Sequence, residues 1–121
     1  FLPNIPKKFF TIPDSNNIKM FEKILERTKN IVDQNNSKLY FVYLPSYYRY
    51  VNFTNKEDIN DIYNSIKDIM AELEIPFIDI HKEVFEKEKN PLDLVPFEEI
   101  GHYTVEGYKK VGQAIYYNTI D

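Results

Sequence analysis

Leu39-Tyr40-Phe41-Val42-Tyr43-Leu44 is an unbroken apolar run of β-forming residues, preceded by Lys38 and stopped by Pro45. Side chains alternate across a strand, so a strand apolar at every position has both faces covered, as in the parallel sheets of α/β proteins. We therefore expect a strand over 38–44. Pro76-Phe77-Ile78-Asp79-Ile80 has the same character and predicts a second, shorter strand over 76–80.

The segments around these strands carry helical periodicity. From Thr54 to Leu73, apolar side chains at Ile59, Ile62, Tyr63, Ile66, Ile69, Met70 and Leu73 recur at three- and four-residue steps. Thr54 and Glu57 have the spacing of a capping box. Asp14 to Asn36 reads as an earlier helix, with Ile18, Phe21, Ile24, Leu25, Thr28, Ile31 and Val32 as its stripe. Asp14 or Ser15 can cap its start, and Asn35 and Asn36 suit its end. His81 to Lys87 predicts a short helix, and Asn90 to His102 an irregular loop containing Pro91, Pro96 and Gly101. Thr104 to Asn118 predicts a closing helix with Val105, Tyr108, Val111, Ala114 and Ile115 inward. Helix, strand, helix, strand, loop, helix is the order of an α/β unit with parallel strands.

Phe1 to Pro13 contains Pro3, Pro6 and Pro13 among apolar residues and reads as an extended arm lying on something. The expected division is an arm over 1–13 and a single α/β unit over 14–121. Two parallel strands do not make an independently stable sheet, and the run 39–44 is too apolar for an exposed edge. A partner for that edge is expected, either strands from a missing N-terminal half or a second copy of the chain. The chain opens on Phe1 rather than Met, which we read as a processed or excised piece.

A length of 121 residues suits one domain, and ten Tyr and nine Phe supply enough large side chains for a core. The net charge of -4, with no basic stripe, argues against a nucleic-acid partner. The absence of Cys excludes disulfides, thiolate metal sites and cysteine nucleophiles. It leaves the compartment open, the bacterial periplasm and the cell exterior included. No apolar run approaches the roughly 20 residues that span a membrane.

The segment most informative about chemistry is Phe97-Glu98-Glu99-Ile100-Gly101-His102-Tyr103-Thr104-Val105-Glu106-Gly107-Tyr108. His102 lies at the end of a long loop, two residues before a helix cap. Loops at the C-terminal edge of a parallel sheet are where α/β active sites form. Glu99, three positions earlier, has the spacing to hold one imidazole nitrogen and leave the other as a base. Tyr47, Tyr48 and Arg49, just past the first strand, are candidates to line an acyl or sugar pocket. Asp79 and His81 are too few for a metal site.

The element Glu99-x-x-His102, followed by Thr104 and then Glu106-Gly107-Tyr108, resembles the end of the SGNH (GDSL-type) hydrolases. The apolar strand ending in Leu44-Pro45, the long helix and Pro76-Phe-Ile-Asp-Ile80 follow the same order. The resemblance covers roughly residues 20–118. It implies the C-terminal half of a three-layer, flavodoxin-like SGNH fold. It also implies a serine esterase or acyltransferase, working on a small-molecule or carbohydrate acyl ester without a metal or cofactor. His102 would be the general base and Glu99 its orienting acid, where the family more often has Asp; Glu98, Asp93 or a backbone carbonyl are the other candidates.

The family's Gly-Asp-Ser block and its oxyanion-hole residues have no counterpart here. Asp14-Ser15 has Pro13 where a glycine is needed, and Ser15 reads as a helix cap and Ser46 as a turn residue. The chain alone is therefore expected to be inert toward esters. The competing expectation is a non-catalytic α/β module that associates through its strand edge.

Overall fold

The computed structural model describes residues 13–51, 55–96 and 102–120. Helix α1 spans Ser15–Gln34, strand β1 Phe41–Tyr43, helix α2 Lys56–Glu72 and strand β2 Phe77–Asp79. A short helix α3 follows at once over Ile80–Glu83, and α4 closes the chain over Val105–Thr119. Single 3-10 turns cover Tyr47–Tyr50, Phe85–Lys87 and Pro91–Leu94.

The two strands pair in parallel, with Phe41 opposite Phe77, Val42 opposite Ile78 and Tyr43 opposite Asp79. They form a two-stranded sheet in a mostly helical chain, and the architecture is mixed α/β. Both strands are shorter than the apolar runs that contain them. The expectation that β1 is covered on both faces is met only in part: its residues are half-buried, and Leu44 is 53% exposed.

Alternation along the strands divides the core. Phe41 and Phe77 stack at 5.8 Å on one face, where Ile18, Phe21 and Leu25 of α1 and Ile66, Ile69 and Met70 of α2 pack around them. Val42, Ile78 and Ile80 face the other way, into a cluster with Val111 and Ala114 of α4 and with Val84, Phe85 and Leu94. Phe85 and Ile80 are wholly buried. Burying one such side chain contributes about 1.5–3 kcal/mol before entropy is counted.

Helix ends follow local chemistry. The Asp14 carboxylate accepts the Asn17 N–H at 2.8 Å and caps α1, so Ser15 is its first helical residue. Asn55, rather than Thr54, caps α2 by accepting the Glu57 N–H at 3.1 Å. Thr54 lies outside the described residues, as do residues 1–12 of the expected arm. Both long helices end in a Schellman turn. Ser37 N–H bonds the Val32 carbonyl at 3.1 Å and Ile75 N–H the Met70 carbonyl at 2.9 Å. Asn36 and Glu74 accordingly take positive φ, 53° and 55°.

Two inward faces differ from the periodic reading. Ile24 and Ile31 of α1 are 57% and 61% exposed, so its inward stripe is the narrower, half-buried set Ile18, Phe21, Leu25, Thr28 and Val32. In α4, Val105 and Tyr108 point outward, 88% and 51% exposed, and Gly107, Val111 and Ala114 face the core. The cause is a close approach. A Cβ built on Gly107 would stand 2.9 Å from the Leu94 carbonyl oxygen and 3.0 Å from the Tyr103 Cβ. Only a glycine lets the helix seat there, and that contact sets which face turns in.

Candidate functional site at the C-terminal end of the sheet

Because the strands run parallel, the segments that leave both of them, Leu44–Tyr50 and Ile80–Glu83, gather at one end. Tyr103 and Thr104, just before α4, join them. The Tyr103 phenol donates to the Pro45 carbonyl at 2.6 Å, and Thr104 N–H bonds the Leu94 carbonyl at 2.8 Å. Thr104 Oγ1 in turn caps α4 by accepting the Gly107 N–H at 3.0 Å. His102, next to Tyr103, is exposed, and its ring has no hydrogen-bond or ion-pair partner among the described residues.

Glu99 and Glu98 lie outside the described residues. The third candidate acid, Asp93, is exposed and accepts the Asn90 amide at 3.2 Å. Ser46 is exposed at the start of the 3-10 turn, in the position of a turn residue. No hydrogen bond joins it to His102 among the described residues.

The sequence reading makes Tyr47 and Tyr48 pocket-lining, whereas the structure buries them. They are 4% and 7% exposed and belong to the core cluster with Phe85 and Val111. The 3-10 turn explains the exchange: it curls the chain back after Pro45, with Arg49 N–H on the Ser46 carbonyl at 3.1 Å. Tyr47 and Tyr48 fill the interior, while Arg49 and Tyr50 stand toward the sheet end.

Arg49 is half-buried and held by neutral groups. One guanidinium nitrogen donates to Asn60 Oδ1 at 3.1 Å and another to the Tyr43 phenol at 3.5 Å. The guanidinium carbon lies 4.9 Å from the Tyr63 ring centre, a cation–π contact. The Tyr63 phenol donates to one oxygen of Asp79, and the other oxygen accepts the Lys82 N–H at 3.1 Å, capping α3. Beside them the Tyr50 phenol meets His81 Nδ1 at 2.8 Å, and its ring stacks on Phe85 at 5.2 Å.

Burial raises the pKa of Tyr43, Tyr50, Tyr63 and Tyr103 above the ordinary tyrosine value, so all four phenols stay protonated. Burial, and after it the Arg49 charge, holds His81 below the usual histidine value. The end of the sheet is thus a hydrogen-bonding array of neutral phenols and a neutral imidazole, with the Arg49 guanidinium and the Asp79 carboxylate among them. A recess of about 330 Å³ opens there, lined by Arg49, Tyr50, Lys56, Ile59, Asn60, His81, Glu86 and Pro91. A second groove, about 470 Å³, runs between α1 and α2 and shares no residue with it.

His81, Asp79 and Arg49 carry one signal in the sequence: each lies at or just past the C-terminal end of an apolar strand. The contacts that gather them run through Tyr50 and Tyr63 and carry none, since they join residues up to 31 positions apart. Among the described residues no group of three His, Cys, Asp or Glu could hold a metal ion, and no helix is long and apolar enough to cross a membrane. Comparison with family models, with curated proteins and with solved structures finds no match for this chain.

Proposed function

We propose that this chain is the histidine-bearing part of an SGNH-type serine hydrolase or acyltransferase acting on an acyl ester. The supporting observation is the placement of His102. It is exposed, and its neighbour Tyr103 ties the loop to the carbonyl that follows β1. A general base needs a free ring nitrogen on a fixed backbone at the site, and this anchorage supplies the fixed backbone. In the proposed reaction a serine oxygen attacks the acyl carbonyl as His102 takes its proton. His102 then passes that proton to the departing alcohol, and water or a second hydroxyl releases the acyl group. Glu99 orients the imidazole. The serine and the oxyanion-hole donors come from strands that extend the sheet past β1 into a three-layer, flavodoxin-like arrangement.

The test is ester hydrolysis by the natural full-length gene product against its His102→Ala form, with p-nitrophenyl acetate and an acetylated sugar as substrates. A loss of at least about a hundredfold on substitution is expected for a general base. Unchanged turnover would refute the assignment.

A second reading has its own observation. Among the described residues β1 is bonded on one side only, by β2, and Leu44 beside it is 53% exposed. An interaction module that pairs through this edge with a second copy fits that geometry. Light scattering that shows a tight dimer, lost on Val42→Pro, would favour it over the hydrolase.

A further inference from the structure

We infer that the recess between Arg49, Lys56, Asn60 and His81 is a binding site for a small molecule bearing a carboxylate or phosphate group.

Arg49 lines the recess. A guanidinium carries several N–H donors in a planar fork that matches carboxylate and phosphate oxygens. Here the fork is half-buried, yet both hydrogen bonds it makes are to neutral oxygens. The ion pairs among the described residues are Lys29–Asp33 and Lys110–Glu88, so no carboxylate among the described residues forms a contact ion pair with it. Charges taken out of water are ordinarily paired, and an anion in the recess would pair this one.

The surrounding groups are arranged as donors. Lys56 and Asn60 sit four residues apart on the first turns of α2, on the face that carries Ile59 into the recess. Asn60 gives its oxygen to Arg49, which leaves its amide N–H groups available. The Tyr50 phenol and His81 Nδ1 share a hydrogen bond at 2.8 Å, and in the tautomer in which Tyr50 donates, the ring proton on Nε2 is a further donor. Two acids, Glu86 and Asp79, stand nearby, and their charges act on the His81 ring. Glu86, on the lining, is exposed, and both oxygens of Asp79 are taken by Tyr63 and Lys82.

The remaining lining, Tyr50, Ile59 and Pro91, gives an apolar wall for the body of the ligand. A volume of about 330 Å³ admits a compact molecule. The location, beyond the carboxyl ends of parallel strands, is where such ligands bind in α/β sheets. None of this depends on His102, so the site stands or falls apart from the ester chemistry.

The test is a titration of the chain, at ionic strength held constant with chloride, with inorganic phosphate in one arm and acetate in the other. Nitrogen-resolved NMR follows the Arg49 side chain and the His81 ring. We expect saturable shifts at both residues in at least one arm, and the arm that saturates identifies the oxyanion. Arg49→Lys keeps the charge and loses the fork, and should weaken binding about tenfold or more. Lys56→Gln, an exposed change that leaves the fold intact, should weaken it about two- to threefold. No saturation in either arm, or affinities unmoved by both substitutions, would overturn the proposal.

Discussion

Tyr103→Phe tests the anchorage that fixes the His102 loop. The substitution removes one oxygen and leaves the ring in place against Phe85, 5.0 Å away, so apolar burial is unchanged. What disappears is the 2.6 Å hydrogen bond to the carbonyl of Pro45, a residue that is fully buried. The net loss of a hydrogen bond is about 1 kcal/mol, and leaving a buried acceptor unpaired raises the penalty to about 1–3 kcal/mol. We expect about 2 kcal/mol. Urea unfolding followed by circular dichroism should show the midpoint falling at an unchanged slope. Hydrogen exchange at the Thr104 amide, bonded to Leu94 at 2.8 Å, should quicken more than exchange in α1. Tyr116→Phe is the control: its ring is 59% exposed, and removing its hydroxyl should change stability by less than about 0.5 kcal/mol. If Tyr103→Phe behaves like that control, the loop is not held through Pro45 and the reasoning fails.

Four further outcomes follow from the geometry. Gly107→Ala, whose Cβ would meet the Leu94 carbonyl at 2.9 Å, should destabilise by about 1–3 kcal/mol in thermal unfolding. Gly112→Ala, with nothing within 4 Å, should stabilise by about 0.5–1 kcal/mol, and the two changes sharing a sign would contradict the packing described for α4. Glu74→Gly, at φ 55°, should raise stability by about 1 kcal/mol, and a decrease would show that the Schellman turn depends on the Glu74 side chain. His81 titrates below the ordinary 6.5, held down by burial and then by Arg49. The unfolded chain therefore takes up that proton at higher pH than the folded chain does. The stabilisation from neutral His81 is full above about 6.5 and is lost as pH falls through the lower folded value. Denaturation midpoints should thus drop less steeply with acid in His81→Gln than in the parent chain, and parallel curves would refute the assignment.

Element types were legible in the sequence where period and caps agree. The stripe from Ile59 to Leu73 places α2, Asp14 caps α1, and Asn36 takes the left-handed turn that ends it. The parallel pairing of 41–43 with 77–79 follows from an apolar run joined to a second by a long helix. Rotation of a helix about its axis is less legible. Period alone admits Val105 and Tyr108 to the inner face of α4, and the decision lies with the Gly107 contact to Leu94, a residue outside the helix. The same limit applies after β1. Tyr47 and Tyr48 read as pocket-lining aromatics until the 3-10 turn folds them under, which leaves Arg49 as a charged group at the sheet end. His81 and Asp79, too few for a metal in the sequence, acquire their roles through Tyr50 and Tyr63, which only folding brings beside them.

Labelling by a serine-reactive fluorophosphonate, read by intact mass, tests the central proposal most directly. It would be run on this chain, on the natural full-length product and on the full-length His102→Ala form. The account predicts one adduct on the full-length product, at a serine outside this chain, and none on this chain or on His102→Ala. An adduct on Ser15 or Ser46 of this chain, labelling that survives His102→Ala, or an unlabelled full-length product would contradict it.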